Sequence, residues 1–263
     1  MEKRISHFLV QHRIILSVLS LLLTVLLAVG AKNLYVNNNY NIFFDLDDPQ
    51  VIDHDLHQSI YTKTDNIAFL VHSVDGDIFT ASKLAIIEEM TEKAWQIPFS
   101  IRVDSLTNFQ NSWAEGDELV VEDLAYDASG LDENALSKIK KTALAEKQLL
   151  NRVISYDAAT TLINVSLEIP EYPGEAIPHK QRVELLKKRE QAVAEIVNYG
   201  RQLRDEISAS SEEVIVHIIG ETVINQNLTE SSDRDAKTLI PFMFLVIIVA
   251  LAVLLRSIGS IVG

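Results

Sequence analysis

Two long uncharged stretches stand near the ends of the chain, Ile14 to Ala31 and Leu239 to Leu255, and the segment between them is polar and patterned. The first holds about 18 residues, roughly 27 Å of helix at 1.5 Å per residue. The second is about one residue shorter; Pro241 stands in its first turn and Arg256 closes it. Neither alternates as a barrel strand does, and a backbone in lipid satisfies itself only as a helix or a closed barrel, so both are expected to be transmembrane helices. Lys3, Arg4 and Arg13 precede the first run, whereas Lys32 is the lone positive residue soon after it, which puts the N-terminus in the cytoplasm and the middle of the chain outside it. A cleaved leader is the competing reading, since Ala28 and Gly30 have the small side chains that a cleavage site needs. The run is longer than the usual leader limit of about 15 residues, and a second stretch downstream favours an uncleaved anchor.

The middle segment reads as an ordered set of strands and helices. Asn66 to His72 is a short apolar run suited to a buried strand. A helix over about 80–96 aligns Ile86, Ile87, Met90, Ala94 and Ile97, and Ile101 to Leu106 follows as a second strand. After an acidic stretch from Asn108 to Ser129, a helix over about 132–153 turns Leu136, Ile139, Ala143, Leu150 and Val153 to one face. From Leu162 to Ile169 apolar and polar residues alternate strictly, so one face is buried and the other wet. A long helix over about 178–208 carries Leu186, Val193, Ile196, Leu203 and Ile207, and Glu213 to Ile219 closes the set as a strand. With the insertion at about 107–158 set aside, the order is strand, helix, strand, strand, helix, strand. That is the split βαβ pattern, an antiparallel sheet with two helices on one face.

Composition narrows the partners. The chain carries 23 Lys and Arg against 37 Asp and Glu, a formal net charge of −14, and almost all of the acid lies between the two apolar runs. Phosphate backbones need a basic face, so nucleic acid is not an expected partner. Solubility is the ordinary reason for so much acid. Cysteine is absent, which removes disulfides, thiol catalysis and thiolate metal sites together and leaves stability to packing.

The residues then come to resemble a family. A first apolar helix, Phe44-Asp45-Leu46-Asp47-Asp48-Pro49, a strand opening Asp65-Asn66 and a split βαβ domain look like the first half of a resistance-nodulation-division (RND) transporter of the MMPL, hydrophobe-amphiphile efflux branch. Gly220-Glu221, Asp235, Leu239-Ile240-Pro241 and Leu254-Leu255-Arg256-Ser257 are similar to that family's second helix and its approaches, and Leu149-Leu150-Asn151 through Ser155-Tyr156-Asp157 is also typical. The resemblance covers nearly the whole chain; its single motifs are loose, and the order of parts carries it. It implies an α+β chain in which two transmembrane helices flank a ferredoxin-like (split βαβ) extracytoplasmic porter domain with a helical insertion. The expected parts are a cytoplasmic N-terminus (1–13), helix (14–31), periplasmic porter-like domain (32–238), helix (239–255) and a cytoplasmic turn (256–263) that resembles the start of a third helix, as in a truncated chain.

The family exports lipid-like or hydrophobic substrates from the bacterial inner membrane by proton-driven movement of its porter domains. The implied partners are the lipid bilayer, such a substrate, the remaining helices and second porter domain of a full transporter, and further copies in a homo-oligomer. The family's coupling acids lie on a later helix, and neither apolar run contains Asp, Glu, Lys or His, so no relay is assigned here. No catalytic, cofactor-binding or metal-binding residue is assigned either, and the chain is not expected to be an enzyme. Substrate identity, direction of transport and oligomeric state are not written in the sequence.

Weaker constellations have ordinary explanations. Asp53-His54-Asp55-Leu56-His57, with Asp45, Asp47 and Asp48 upstream, offers donors for a divalent metal, but a loop spacing fixes no geometry and solvated charge accounts for it. His72 and His217 each sit in a strand without a catalytic motif, and Lys187-Lys188-Arg189 reads as a solvated helix face. Asn164-Val165-Ser166 and Asn227-Leu228-Thr229 fit the glycosylation sequon, and are read as chance because the resemblance implies a bacterial source. Trp95 and Trp113 lie far from either apolar run. A two-span receptor or sensor with a ligand-binding domain is the alternative reading. The native reading frame after Gly263 separates the two: more apolar helices fit the transporter, a charged linker and signalling module the receptor.

Overall fold

A computed structural model describes residues 11–30, 45, 48–60, 65–170 and 177–255. In order they form α1 (Arg13–Gly30), α2 (Pro49–Ile60), β1 (Asn66–Ser73), α3 (Ala81–Ala94), β2 (Ser100–Asp104), β3 (Gln110–Glu115), β4 (Glu118–Asp123), a 3-10 turn (Ala128–Gly130), α4 (Glu133–Ala145), β5 (Thr160–Leu167), α5 (His179–Ser210), β6 (Val214–Ile219) and α6 (Glu221–Leu255). Two compact units result, Tyr40–Asn227 and a smaller one made of Met1–Asn39 with Leu228–Gly263.

In the larger unit the four-stranded sheet has the order β2-β5-β1-β6, and each neighbouring pair is antiparallel. With β3, β4 and α4 treated as an insertion, this is the split βαβ order, its two central strands being β1 and β5. The alternation in the sequence explains why one face is covered. Phe69 stands opposite Ile163 and Ile67 opposite Val165, and all four are fully buried. Val103 of β2 and Val216 of β6 continue that face towards the two edges. Leu84, Ile87 and Met90 of α3 and Ile196, Val197, Leu203 and Ile207 of α5 belong to the same core. Thr80 starts α3 by accepting from the Lys83 N–H, and Asp132 starts α4 by accepting from that of Ala135, each side chain satisfying a donor the helix leaves open.

The acidic stretch between β2 and α4, to which the sequence assigned no element, is structured. It folds into the β3–β4 hairpin, with Trp113 opposite Val120 and a turn at Gly116-Asp117. Lys138 of α4 lies 5.5 Å over the Trp113 ring, a cation–π contact that rests α4 on the hairpin. The Glu88 carboxylate of α3 accepts from the N–H groups of Asp127 and Ala128, both at 2.9 Å, and so ties the insertion to the main body. Leu124, Ala125, Ala128, Ile139, Ala143 and Leu149 of the insertion join the core. The helix expected over 132–153 stops at Ala145; the chain then wraps back, with Asn151 at φ 60°, and Ile154 bridges to Thr161 of β5.

The two apolar runs do become helical, as α1 and the second half of α6, yet among the described residues no helix is long and apolar enough to cross a membrane. Length is the physical reason. The uncharged part of α1 runs from Ile14 to Gly30 and that of α6 from Leu239 to Leu255 around Pro241. Each is roughly 26 Å long, at the short end of what a hydrocarbon core of about 30 Å requires. The α+β class therefore holds, whereas the two transmembrane helices, and the inner-membrane placement with a periplasmic middle that rested on them, are corrected. Within the smaller unit, Ile14, Val18, Leu22 and Leu26 of α1 and Leu239, Phe242, Leu245 and Val249 of α6 are exposed. The third-helix start expected at 256–263 lies outside the described residues.

Gly220 joins β6 to α6 at φ +118°, and a Cβ there would stand 2.7 Å from the Asn66 carbonyl oxygen. Backbone cannot yield as a flexible side chain does, so Gly220→Ala is expected to destabilise the fold by about 1–3 kcal/mol, read as a lower urea midpoint at an unchanged slope.

Candidate functional site

Two polar features of the larger unit are the candidates. The first lies in the loop from β1 to α3. Lys83 is buried, and its ammonium donates to Asp75 Oδ1 at 2.5 Å and to the Asp77 carbonyl at 2.7 Å. Ser73, also buried, donates from Oγ to the same Asp75 oxygen at 2.6 Å. Lys140 of α4 reaches across to Asp77 Oδ2 at 2.7 Å and sits 5.8 Å over the Phe79 ring. The hydrogen bond from Lys83, and then that from Ser73, hold the Asp75 carboxyl well below the ordinary carboxylate range. Burial pushes Asp77 upward, but the hydrogen bonds from Lys140 and from the Phe79 N–H outweigh it and leave its pKa lowered. Beside this loop, Asp157 is held low by the Ser155 hydroxyl and the Ala159 N–H.

Exposure decides what this cluster does. The Lys83 side chain is 4% exposed and its Asp75 partner 67%, so the cation is buried while its counter-charge stays wet. Ser73 has no exposure and is engaged by Asp75 and the Asp77 carbonyl, so no substrate reaches a nucleophile there. The cluster locks the loop that connects β1 to α3 and joins it to the insertion through Lys140.

The second feature is an open cleft of about 450 Å³ where β2, the start of β3 and the turn after α4 converge. Arg102, Asp104, Asn108, Gln110, Asn111, Glu146 and Gln148 line it, and Phe109, Leu149 and Val153 give it an apolar patch. Arg102 is fixed by Asp104, with Nε and Nη2 both 2.8 Å from Oδ1, and this hydrogen-bonded carboxylate raises the guanidinium pKa. Asn108 is a structural member: its amide donates to the Val103 carbonyl and its Oδ1 accepts from the Ser105 N–H, both at 2.8 Å. Gln110 bonds Asp123 across the hairpin. The walls are polar, so the cleft suits a polar or amphiphilic guest better than a purely hydrophobic one.

The other residues singled out in the sequence scatter. Residues 49–60 form a helix, where a loop was expected; Pro49 takes the first helical position, and the Asp48 carboxylate accepts from the Gln50 N–H at 2.8 Å. Among the described residues no group of His, Asp or Glu is placed to hold a metal ion, and Asp47 lies outside them. His72 bonds Thr160 at 2.9 Å, while His217 is exposed on β6. Lys187 and Lys188 face solvent as expected, but Arg189 departs from that reading: it is buried, donating to the Pro170 carbonyl at 2.6 Å and to Asp65 at 3.2 Å. Asn164 accepts from Asn66 within the sheet, and Trp95 is exposed. Sequence reasoning missed the Lys83 cluster and the cleft, because each gathers residues from separate elements. No family model matches the chain, and no curated protein matches it.

A carboxyl with a lowered folded pKa contributes stability that is complete above the unfolded value of about 3.9 and is lost as pH falls below it. Asp75→Asn is therefore expected to lower the urea midpoint at neutral pH, because Lys83 stays buried without its counter-charge, and to flatten the loss of stability between about pH 5 and pH 2. An acid response identical to that of the parent chain would remove Asp75 from it.

Proposed function

We propose that this chain is the porter-domain segment of an RND-type exporter of lipid-like or hydrophobic substrates. The observation that carries the reading is the order of parts: a split βαβ sheet with a structured insertion after its second strand, set in sequence between two apolar helices. Exposed apolar side chains along α1 and the second half of α6 support it, since surfaces of that extent call for partners, here the further helices of a complete transporter. A second porter domain would work opposite this one, with substrate passing between their movements. The proton-coupling groups lie elsewhere in such a transporter, because the apolar stretches of both helices lack any side chain that titrates near neutral pH.

One observation favours a second reading. The polar cleft at β2 is what a sensor domain for a small polar ligand would have, and the lining fits it better than it fits a hydrophobic cargo.

Cells lacking the gene are expected to retain more of a lipophilic dye than cells carrying it, with retention restored by the complete gene. Unchanged retention across lipophilic and amphiphilic compounds would defeat the exporter reading. A melting temperature of the purified chain that rises with a polar solute, while dye retention stays unchanged, would favour the sensor. The segment alone, reconstituted in lipid vesicles, is expected to move no substrate in response to a pH gradient.

A further inference from the structure

The two edges of the four-stranded sheet differ. At the β2 edge the strand is short and irregular between Ser100 and Arg102, the Asn108 amide covers the Val103 carbonyl, and Arg102 and Asp104 place charge along it. These are the usual devices that stop an edge from pairing. At the other edge β6 reads Val214-Ile215-Val216-His217-Ile218-Ile219, without proline, glycine or a charged carboxylate, lysine or arginine. Ile215 is 47% exposed and Ile219 42%.

The ladder fixes which backbone groups of β6 are free. The Val74 N–H donates to the Glu213 carbonyl, so residues 213, 215, 217 and 219 aim their backbone groups at β1. Hydrogen-bonded and open pairs alternate along an antiparallel ladder, and Val214, Val216 and Ile218 therefore aim theirs outward. Among the described residues no strand pairs with that side.

We infer that the free edge of β6 docks the β6 edge of a second copy, antiparallel about a twofold axis at Val216, joining two sheets into one. Residues directly opposite in an antiparallel pair share a face, so a symmetric register centred on a residue keeps both helix-covered faces on the same side. Centred on Val216, that residue meets its own copy and Val214 meets Ile218, so every outward N–H and carbonyl in the strand finds a partner. Ile215 then lies opposite His217, Glu213 opposite Ile219 and Glu212 opposite Gly220, and no like charges meet. Centring on His217 instead sets Glu213 against Glu221 and leaves Val214 facing Gly220, where the chain turns away at φ +118°. Centring on Ile215 sends Ile218 beyond the strand to Glu212. The Val216 register is the one the residues favour, and it is isologous, as a closed dimer requires.

The chain has no cysteine, so introduced thiols report cleanly. Ile215 and His217 would face each other in an open pair, about 4.5 Å apart at Cα, within the span of a disulfide. Ile215→Cys mixed with His217→Cys, each as the full chain in mild detergent, is expected to give a disulfide-linked dimer on oxidation, and neither variant alone is expected to do so. Equal cross-linking of either variant with itself, or none in the mixture, would overturn the register. The parent chain is expected at twice its protomer mass, and Val216→Pro, which removes an outward N–H and spares the bonds to β1, at the protomer mass. A doubled mass that survives Val216→Pro would place association on the apolar helices and overturn the proposal. Should that variant fail to fold, the mixed cross-link decides alone.

Discussion

Phe69 has no exposed surface, and its ring lies against the helix α5 at Gly200, where a Cβ would meet the ring's edge at 3.6 Å and the tip of Ile67 at 2.6 Å. The larger unit depends on this close approach of helix to sheet. Successive side chains of a strand point to opposite sides, and α3 and α5 are the elements that cover the face carrying Ile67, Phe69 and Val71. A bulkier residue at position 200 would have to displace the tip of the Ile67 side chain, at the heart of the core.

The polar features follow from that packing. A loop leaving the end of β1 must turn sharply to bring α3 back over the sheet, and its carbonyls and carboxylates then face a buried cation, Lys83. Arg189 does the same at the other end of β1, gathering the Pro170 carbonyl and Asp65. Each places a cationic head inside the fold, where a lost partner costs more than it would on the surface. The cleft beside β2 has another origin. It exists because the inserted hairpin leaves the sheet at its edge, and its walls are the polar side chains of that departure.

Much of the sheet was legible in the sequence because strict alternation has one physical meaning. Leu162 to Ile169 alternates, and the observed strand over Thr160–Leu167 has the buried and open faces so implied. The two helices on that face were readable from apolar spacing. The hairpin was hidden by its own acids, Glu115, Glu118, Glu122 and Asp123, which blur the strand alternation; the two-residue turn Gly116-Asp117 between Gln110–Glu115 and Glu118–Asp123 was the signal that would have found it. Asp48-Pro49 was likewise a helix start read as part of a loop. The apolar runs were read as spans from their length and lack of charge, whereas among the described residues no helix is long and apolar enough to cross a membrane. Neither candidate site was legible, since Ser73 with Lys140, or Arg102 with Gln148, become neighbours only through folding.

A small relay of side-chain amides sits across the middle of the sheet. Asn66 donates from Nδ2 to Asn164 Oδ1 at 2.9 Å, and its own Oδ1 accepts from the Glu221 N–H at 3.3 Å. One residue of β1 thereby clasps β5 with one hand and the first turn of α6 with the other. The opening of that helix cannot fray on its own: unwinding it strips a bond from the innermost strand, so its leading amide should exchange with solvent at the pace of the sheet and not of a loose helix end.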